Sequence, residues 1–230
     1  MTLSIIIPVL NEEENLKVLL PYLKNNASGP LEIIVADGGS TDASVAVAIN
    51  NNSKVIQTKK GRAKQMNAGA KVASNAILYF LHADTIPPKS FDTLILNAIK
   101  KNHKAGCFRM RFDSNHWWLR LAGWFTRFNV KYFRGGDQSL FVTKTLFEEI
   151  GGYDEKYIIY EDNVLIAELY RRTTFTVLSK PVSSSARRYL KKGIWRLQFH
   201  FWRIHFMKLF GAKPDKLYQY YKTKIATNSN

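Results

Sequence analysis

The sequence predicts a three-layer α/β domain with a mostly parallel central sheet. In the first hundred residues, short apolar runs that suit strands buried on both faces alternate with amphipathic stretches that suit helices. Polar residues follow directly on several of these strands. Strands that alternate with helices form a parallel sheet covered on both faces, and such sheets bind ligands at the carboxyl ends of their strands.

The predicted elements of the first half follow one another in a regular order. A β-branched run predicts the first strand, and leucines three and four residues apart predict the helix after it. Ser40 or Thr41 is expected to cap the second helix. The strands are expected at 5–7, 31–36, 55–57 and 76–81, and the helices at 12–26, from about 41, at 61–73, and from Pro87-Pro88 to about 101.

The second half of the chain is less regular. We expect strands at 105–112 and 138–142, and helices at 115–128, up to Gly151-Gly152, and at 161–172, where Glu168 and Arg172 stand four apart. Residues 1–190 are interpreted as one domain, with halves at about 1–112 and 113–190. Residues 191–230 are a basic, aromatic helical tail of the same structural unit.

Composition narrows the class of protein. Of 230 residues, 46% are hydrophobic and 23% charged, which excludes a wholly disordered, collagen-like or coiled-coil chain. The single Cys107 excludes a disulfide framework and a multi-cysteine zinc site, and it suits a buried, unreactive position. The apolar run at 3–10 contains Pro8 and leads into Glu12, so we expect no signal peptide, no membrane span and a cytoplasmic location.

Six motifs fall in a specific order along the chain. They are IIIPVLNEE at 5–13, IIVADGGSTD at 33–42, GRAKQMNAGA at 61–70, HAD at 82–84, GGDQ at 135–138 and ED at 161–162. Together they resemble family 2 glycosyltransferases of the GT-A (Rossmann-like) fold, in wording closest to the radical-SAM/selenodomain-associated transferase 2 subgroup. The resemblance covers about residues 2–189.

The resemblance implies a nucleotide-sugar donor, UDP- or GDP-linked, and a divalent Mn²⁺ or Mg²⁺. Asp37 matches the aspartate that accepts hydrogen bonds from the ribose or base. Asp84 matches the metal-binding carboxylate, and His82 replaces the first aspartate of the usual Asp-X-Asp. The donor side is expected to comprise Pro8, Asn11, Glu12, Asp37, Gly39, Arg62, Asn67, His82, Ala83 and Arg188.

The same resemblance implies an inverting reaction. A carboxylate must then remove the proton of the acceptor hydroxyl as it attacks the anomeric carbon, and Asp162 is the candidate general base. Gly136, Asp137, Gln138 and Glu161 are expected on the acceptor or sugar side.

Each of these residues also has a structural interpretation. Asp37-Gly38 is a common turn, Asp162 is a good partner for a helix N-terminus, and His82 suits contact with ribose, a metal or the strand end. Arg62 follows Gly61 at a helix start, where anions are favoured, and Arg188 fits a diphosphate clamp, but both also suit surface charge.

The charge balance is unusual. The 34 Lys and Arg against 18 Asp and Glu give a net charge of +16, which favours anionic partners. Between residues 187 and 224, eleven basic residues face one acidic residue and alternate with aromatic ones. Trp195, Phe199, Trp202, Phe206 and Leu209 form one helical row, and Leu197, Phe201 and Ile204 a second. Such a helix packs on the domain, lies on an anionic membrane, or does both, which would suit a lipid-linked acceptor and peripheral attachment at the inner face.

Two other classes of function compete with this interpretation. Basic and aromatic residues also bind nucleic acid, but no recognised nucleic-acid module is present and the motif series would remain unexplained. Related folds host nucleotidyltransferases, which release pyrophosphate from a nucleoside triphosphate.

Overall fold

The centre of the computed structural model, which describes residues 2–226, is one mixed β-sheet. Its strands are β1 (Leu3–Val9), β2 (Leu31–Asp37), β3 (Lys54–Gln57), β4 (Ile77–Phe80), β5 (Thr85–Ile86), β6 (Ala105–Phe112), β7 (Leu140–Thr143) and β8 (Phe175–Ser184). Within the described residues they lie in the order β3-β2-β1-β4-β7-β6-β8-β5.

The first four predicted strands form the expected parallel unit. β1 pairs in parallel with β2 and β4, and β2 pairs in parallel with β3. β7 then runs antiparallel to β4 and β6, whereas β6 and β8 are parallel. The second half therefore extends the same sheet, and the predicted α/β class is confirmed.

Helices cover both faces of the sheet. They are α1 (Glu13–Asn26), α2 (Ser44–Asn50), α3 (Arg62–Val72), α4 (Phe91–Lys100), α5 (Trp117–Phe125), α6 (Lys144–Ile150), α7 (Glu161–Arg172), α8 (Arg187–Lys192), α9 (Ile194–Leu209) and α10 (Pro214–Tyr221). In β1, Ile5 and Ile7 join the core under α1, while Ile6 joins the core under α3. This alternation explains why three successive residues of this strand are apolar isoleucines.

Helix α3 packs very close to the sheet at Gly69. A Cβ at this position would lie 2.4 Å from Ile6 Cγ2, so only glycine permits the contact without displacement. The close packing fixes the start of α3, which carries Arg62, relative to the carboxyl end of β1.

Several boundaries differ from the sequence-based prediction. The expected cap of α2 at Ser40 or Thr41 was wrong, because the helix begins at Ser44. Ser40 and Thr41 instead bind Asn11: Asn11 N donates to Ser40 Oγ at 2.9 Å, and Thr41 N donates to Asn11 Oδ1 at 2.8 Å. The strands β5 and β8 were not predicted.

The tail packs on the domain mainly through one of its two apolar rows. Leu197 and Ile204 of α9 are buried with Leu217 of α10, and this cluster includes Tyr157 and Ile159 of the main domain. The other row is largely exposed, at Trp195, Phe199, Trp202, Phe206 and Leu209, although the rings of Trp195 and Trp202 contact Trp118 of α5, with ring centres 5.1 and 5.8 Å apart. Within residues 2–226, no helix combines the length and apolarity that crossing a bilayer requires.

Candidate active site

A cavity of about 670 Å³ lies at the carboxyl ends of β1 and β4; we call it the sheet cavity. Its position follows from the parallel arrangement of these strands. Eight of the predicted site residues line it: Pro8, Glu12, Arg62, His82, Ala83, Asp84, Asp137 and Arg188.

The sheet cavity carries charges of both signs. Burial raises the pKa of Glu12, opposed by a hydrogen bond from Asn15, and the nearby Asp84 carboxylate raises it further. Lys60, Arg62, Lys64 and Arg188 supply positive charge to the same cavity. A molecule that bears several negative charges would therefore meet four cationic side chains there.

The side chains near Asp84 provide too few ligand atoms to surround a metal ion on their own. Among residues 2–226, no group of three or more His, Cys, Asp or Glu side chains is arranged to hold an ion. Asp84 is half-buried and close enough to Glu12 for their charges to interact. These residues fit a hard divalent cation that takes one protein carboxylate and completes its coordination with water and ligand oxygens.

Four of the residues expected on the donor side line neither this cavity nor the one described next. Asp37 is buried, and its carboxylate accepts from Gly39 N and Ser40 N at 3.1 Å. Asn11 anchors the same loop, as described above. Asn67 binds the segment after α6, through Tyr153 and Glu155 at 2.9 Å. In this structure these four residues hold the loops that surround the sheet cavity.

A second cavity, of about 590 Å³, lies between α5, α7 and α9; we call it the aromatic cavity. Its lining includes Trp118, Phe125, Tyr132, Phe133, Tyr160, Phe201, Trp202 and His205. The predicted residues Gly136, Asp137, Gln138, Glu161, Asp162 and Arg188 line it as well.

Gly136 sits where the two cavities meet, between Asp162 and His82. A Cβ added to Gly136 would lie 2.0 Å from Asp162 Oδ2 and 3.1 Å from His82 Nε2. The two side chains therefore approach the same point from opposite cavities. A glycine is required here because any side chain would occupy the position of the Asp162 carboxylate.

Glu161 and Arg62 form an ion pair beside Asp162, in which Glu161 is buried and the Arg62 side chain is 40% exposed. Arg62 Nε lies 3.1 Å from Glu161 Oε1, and the Glu161 side chain is 1% exposed. Burial raises the pKa of Glu161 to about 7; Arg62 opposes this rise and Asp162 adds to it. Burial acts to lower the pKa of Arg62, but Glu161, Asp162 and Asp137 outweigh it, so this pKa is raised.

Gln138 supports the wall of the aromatic cavity through the buried Arg134. Arg134 Nη1 donates to Gln138 Oε1 at 2.6 Å, and Arg134 Nη2 donates to Thr126 O at 2.7 Å. Burial raises the pKa of the neighbouring Cys107 to about 11, which keeps the thiol protonated, as its predicted inert role requires. Sequence reasoning missed Arg134 because no carboxylate or motif marks it.

The tail contributes walls to both cavities, through residues that the sequence-based site did not include. Phe201 and Tyr221 line both cavities, and Tyr218 lines the sheet cavity. From the main domain, Arg62, Asp137, Arg188 and Tyr189 also line both. The Arg188 guanidinium stacks between Phe201 and Tyr221, 5.5 and 5.3 Å from the ring centres. The tyrosines among the basic residues of the tail are the feature of the sequence that could have indicated this contribution to the cavities.

Three of the six non-glycine residues with positive φ in the described part of the chain lie in or beside the motifs. Asn11, Ser139 and Tyr160 have positive φ angles of 55°, 59° and 71°. Non-glycine residues rarely adopt this conformation, and it is enriched where a site requires an unusual backbone direction. Tyr160 immediately precedes Glu161 and Asp162, and its hydroxyl lies 2.8 Å from His205 Nδ1.

The fold and this convergence of motifs define a GT-A-type transferase architecture, and comparison with known proteins identifies the family. The model of glycosyl transferase family 2 matches residues 4–159. The chain therefore belongs to glycosyltransferase family 2. A PGL/p-HBAD biosynthesis glycosyltransferase of Mycobacterium bovis (BCG Pasteur) is 28% identical over 172 residues, which cover 69% of this chain and 66% of that protein.

Solved structures show the same fold. TarS 1–349 of S. aureus, in complex with UDP, superimposes with a TM-score of 0.65 at 18% identity, over 80% of this chain and 60% of that one. The mannosyltransferase PcManGT of Pyrobaculum calidifontis, in complex with GDP-Man and Mn²⁺, gives 0.65 at 19% identity, over 99% and 68%. The chain spans about two thirds or less of the length of TarS 1–349 and of the mycobacterial relative.

The ionisation of Glu161 makes stability depend on pH. Its pKa is higher in the folded chain than the usual 4.5, so its contribution is most favourable below pH 4.5 and is lost as the pH rises through about 7. We expect the contribution of Glu161 to the free energy of unfolding to fall by about 1–3 kcal/mol across this window. Glu161→Gln should remove this contribution, while that of Glu12, whose pKa is also raised, remains. Urea unfolding at a series of pH values measures it.

The matched control is Glu168→Gln on the same helix. Arg171 and Arg172 lower the pKa of Glu168 to about 2, so its linkage lies below this window. Between pH 5 and 7, the free energy of unfolding of this control should change with pH as steeply as that of the wild type. A Glu161→Gln variant with that same slope would contradict the raised pKa.

Proposed function

We propose that the chain is an inverting, metal-assisted glycosyltransferase that moves a sugar from a nucleotide-sugar donor to an acceptor hydroxyl. The observation that carries the proposal is the meeting of two cavities at Gly136. His82, which lines the sheet cavity, and Asp162, which lines the aromatic cavity, both lie close to Gly136, and Asp84 lines the sheet cavity two residues after His82. An in-line displacement needs a leaving-group site and a proton acceptor on opposite sides of the reacting carbon.

The donor occupies the sheet cavity in this proposal. Lys60, Arg62, Lys64 and Arg188 offer the positive charge that a diphosphate requires. A Mn²⁺ or Mg²⁺ held by Asp84 would neutralise the charge that develops on the departing diphosphate. The UDP complex of TarS and the GDP-Man and Mn²⁺ complex of PcManGT support this class of donor without choosing between UDP and GDP.

Asp162 acts as the general base. Its carboxylate takes the proton of the acceptor hydroxyl while that oxygen bonds to the anomeric carbon. The bond from this carbon to the phosphate oxygen breaks on the opposite side, and the nucleoside diphosphate leaves with the electron pair. Arg62 lines both cavities. Through its ion pair it holds Glu161 beside the general base, and on its other side it faces the donor phosphates.

The general base is tested by Asp162→Asn. We expect release of nucleoside diphosphate from UDP-glucose, UDP-GlcNAc or GDP-mannose, with water as surrogate acceptor, to fall about 10²–10⁴-fold, the usual effect of removing a general base. Donor binding, followed by thermal shift, should be nearly unchanged.

Asp215→Asn is the matched control, because Asp215 is also a first-turn aspartate of a helix but is exposed. It should retain full turnover. Full turnover of Asp162→Asn would refute the assignment.

Two neighbouring glycines give an independent test of the geometry. Gly136→Ala places a methyl group where the Asp162 carboxylate lies, whereas a methyl group at Gly135 would meet nothing within 4 Å. We expect Gly136→Ala to reduce turnover at least about tenfold because the base is displaced, and Gly135→Ala to leave it unchanged. Equal turnover of the two variants would show that the position of Asp162 does not matter.

We further propose that the acceptor is lipid-linked and that the chain attaches peripherally to the inner face of the membrane. Trp118, Phe125 and Trp202 give the aromatic cavity an apolar wall that suits an amphiphilic acceptor. Phe206 and Phe210 project beyond it, 61% and 87% exposed. Aromatic rings flanked by basic residues are typical of proteins that lie at an anionic bilayer surface.

Membrane attachment is tested by sedimentation with phosphatidylglycerol-containing vesicles. Phe206→Ser with Phe210→Ser should weaken binding about tenfold or more, because inserted aromatic surface is lost. Val18→Ser with Ile49→Ser is the matched control, since these residues are 62% and 57% exposed on α1 and α2. Equal binding by both double variants would exclude α9 as the attachment surface.

A further inference from the structure

An arginine-lined groove of about 730 Å³ lies between α5 and the strands β6 and β8. It is on the other side of α5 from the aromatic cavity, because Trp118, Ala122 and Phe125 line that cavity while Arg120, Gly123 and Trp124 line the groove. The arginines are Arg109 and Arg111 on β6, Arg120 on α5 and Arg127 just after it. We call it the arginine groove.

The positive charge of the arginine groove is not compensated by the chain. In the described part of the chain, no ion pair joins any of the four arginines to a carboxylate. The one acidic residue in the lining is Asp113, whose Oδ1 accepts from Ala186 N at 2.5 Å. Such a surplus of positive charge attracts an anion.

Arg109 adds a second observation. Its Nε is buried and lacks a hydrogen-bond partner among residues 2–226. A buried donor without a partner costs free energy, which an oxygen atom of a bound ligand would recover. Arg109 and Arg111 are two residues apart on one strand, so their side chains leave the same face. Ser179 and Ser183 of β8 line the same groove with hydroxyl groups.

Guanidinium groups and hydroxyls in one groove favour phosphate, since the planar fork of arginine donates two parallel hydrogen bonds to phosphate oxygens. The surroundings favour a phosphate that belongs to a lipid. Leu121, Trp124 and Phe128 are exposed along the same side of the molecule, and the Arg127 guanidinium lies 4.5 Å from the centre of the Trp124 ring. Tryptophan beside arginine is the pairing found at headgroup depth.

The aromatic rings beside the groove are not arranged as a platform for nucleobases. Trp124 packs edge-to-face against Phe125 and Phe128, with interplanar angles of 81° and 72°. Single-stranded nucleic acid needs open ring faces on which bases stack. Arg127 further covers the Trp124 ring.

We propose that the arginine groove binds the phosphate headgroup of an anionic lipid and thereby orients the aromatic cavity toward the membrane. The proposal rests on the membrane attachment proposed above. It adds a specific headgroup site on α5 and β6, separate from the exposed aromatic row of α9 and from both cavities of the candidate active site.

The test compares two triple variants that remove the same charge. The groove variant replaces three exposed arginines of the groove, by Arg111→Gln, Arg120→Gln and Arg127→Gln. Arg109 is left intact to protect folding. Lys100→Gln, Lys101→Gln and Lys104→Gln change three exposed lysines near the end of α4 and form the control. Binding is measured by co-sedimentation with phosphatidylcholine vesicles with and without phosphatidylglycerol, at constant ionic strength.

We expect the groove variant to bind phosphatidylglycerol vesicles about 100-fold more weakly than wild type, and the control no more than about fivefold more weakly. Equal losses would overturn the headgroup site. A loss of sn-glycerol 1-phosphate or poly(U) binding without any loss of vesicle binding would also overturn it, in favour of a soluble phosphate or RNA. If wild type binds neither kind of vesicle, membrane attachment fails, whereas a retained nucleotide-dependent thermal shift keeps the transferase proposal intact.

Discussion

The arrangement of the site depends on keeping two adjacent carboxylates at the start of α7. Glu161 is buried and Asp162 stands next to it, so their charges repel in a region of low polarity. Arg62 offsets this cost through its contact with Glu161 at 3.1 Å. Arg62 is held at the start of α3, and α3 is fixed against β1 by the contact of Gly69 with Ile6. The packing of α3 on the sheet therefore sets the position of Arg62. Arg62 in turn allows the carboxylates of Glu161 and Asp162 to lie side by side at the aromatic cavity.

Helix α5, and helix α9 of the tail, each present two sides with different roles. One side of α5 lines the aromatic cavity and the other lines the arginine groove. Helix α9 likewise packs on the domain mainly through one row and leaves most of the other row exposed. In the account proposed here, both helices therefore connect a solvent-facing, membrane-compatible surface to the place where the acceptor hydroxyl must reach Asp162.

The sequence predicted the parallel half of the sheet well because each strand there contains a short apolar run and is followed by a motif. His82 and Asp162, both predicted as site residues, lie close to Gly136, because a strand end and a helix start meet there. The sequence did not predict that Asn67 binds Tyr153 and Glu155, since hydrogen bonds over such a separation in the chain leave no local pattern. The contacts of Asp37 with Gly39 N and Ser40 N match the turn that the sequence offered as its structural interpretation. Arg188, Phe201 and Tyr221 meet only through the packing of three helices, which periodicity cannot specify.

The central claim is that the sheet cavity binds a nucleotide sugar with a divalent cation at Asp84. The most direct measurement is the thermal midpoint of wild type and Asp84→Ala against UDP, GDP and their sugar derivatives, each with and without Mn²⁺. A ligand at about a hundred times its dissociation constant adds about 2.7 kcal/mol, which should raise the midpoint by about 5–10 °C. We expect this shift for one nucleotide, only with Mn²⁺, and its loss in Asp84→Ala. An absence of any shift, or an equal shift in Asp84→Ala, would contradict it.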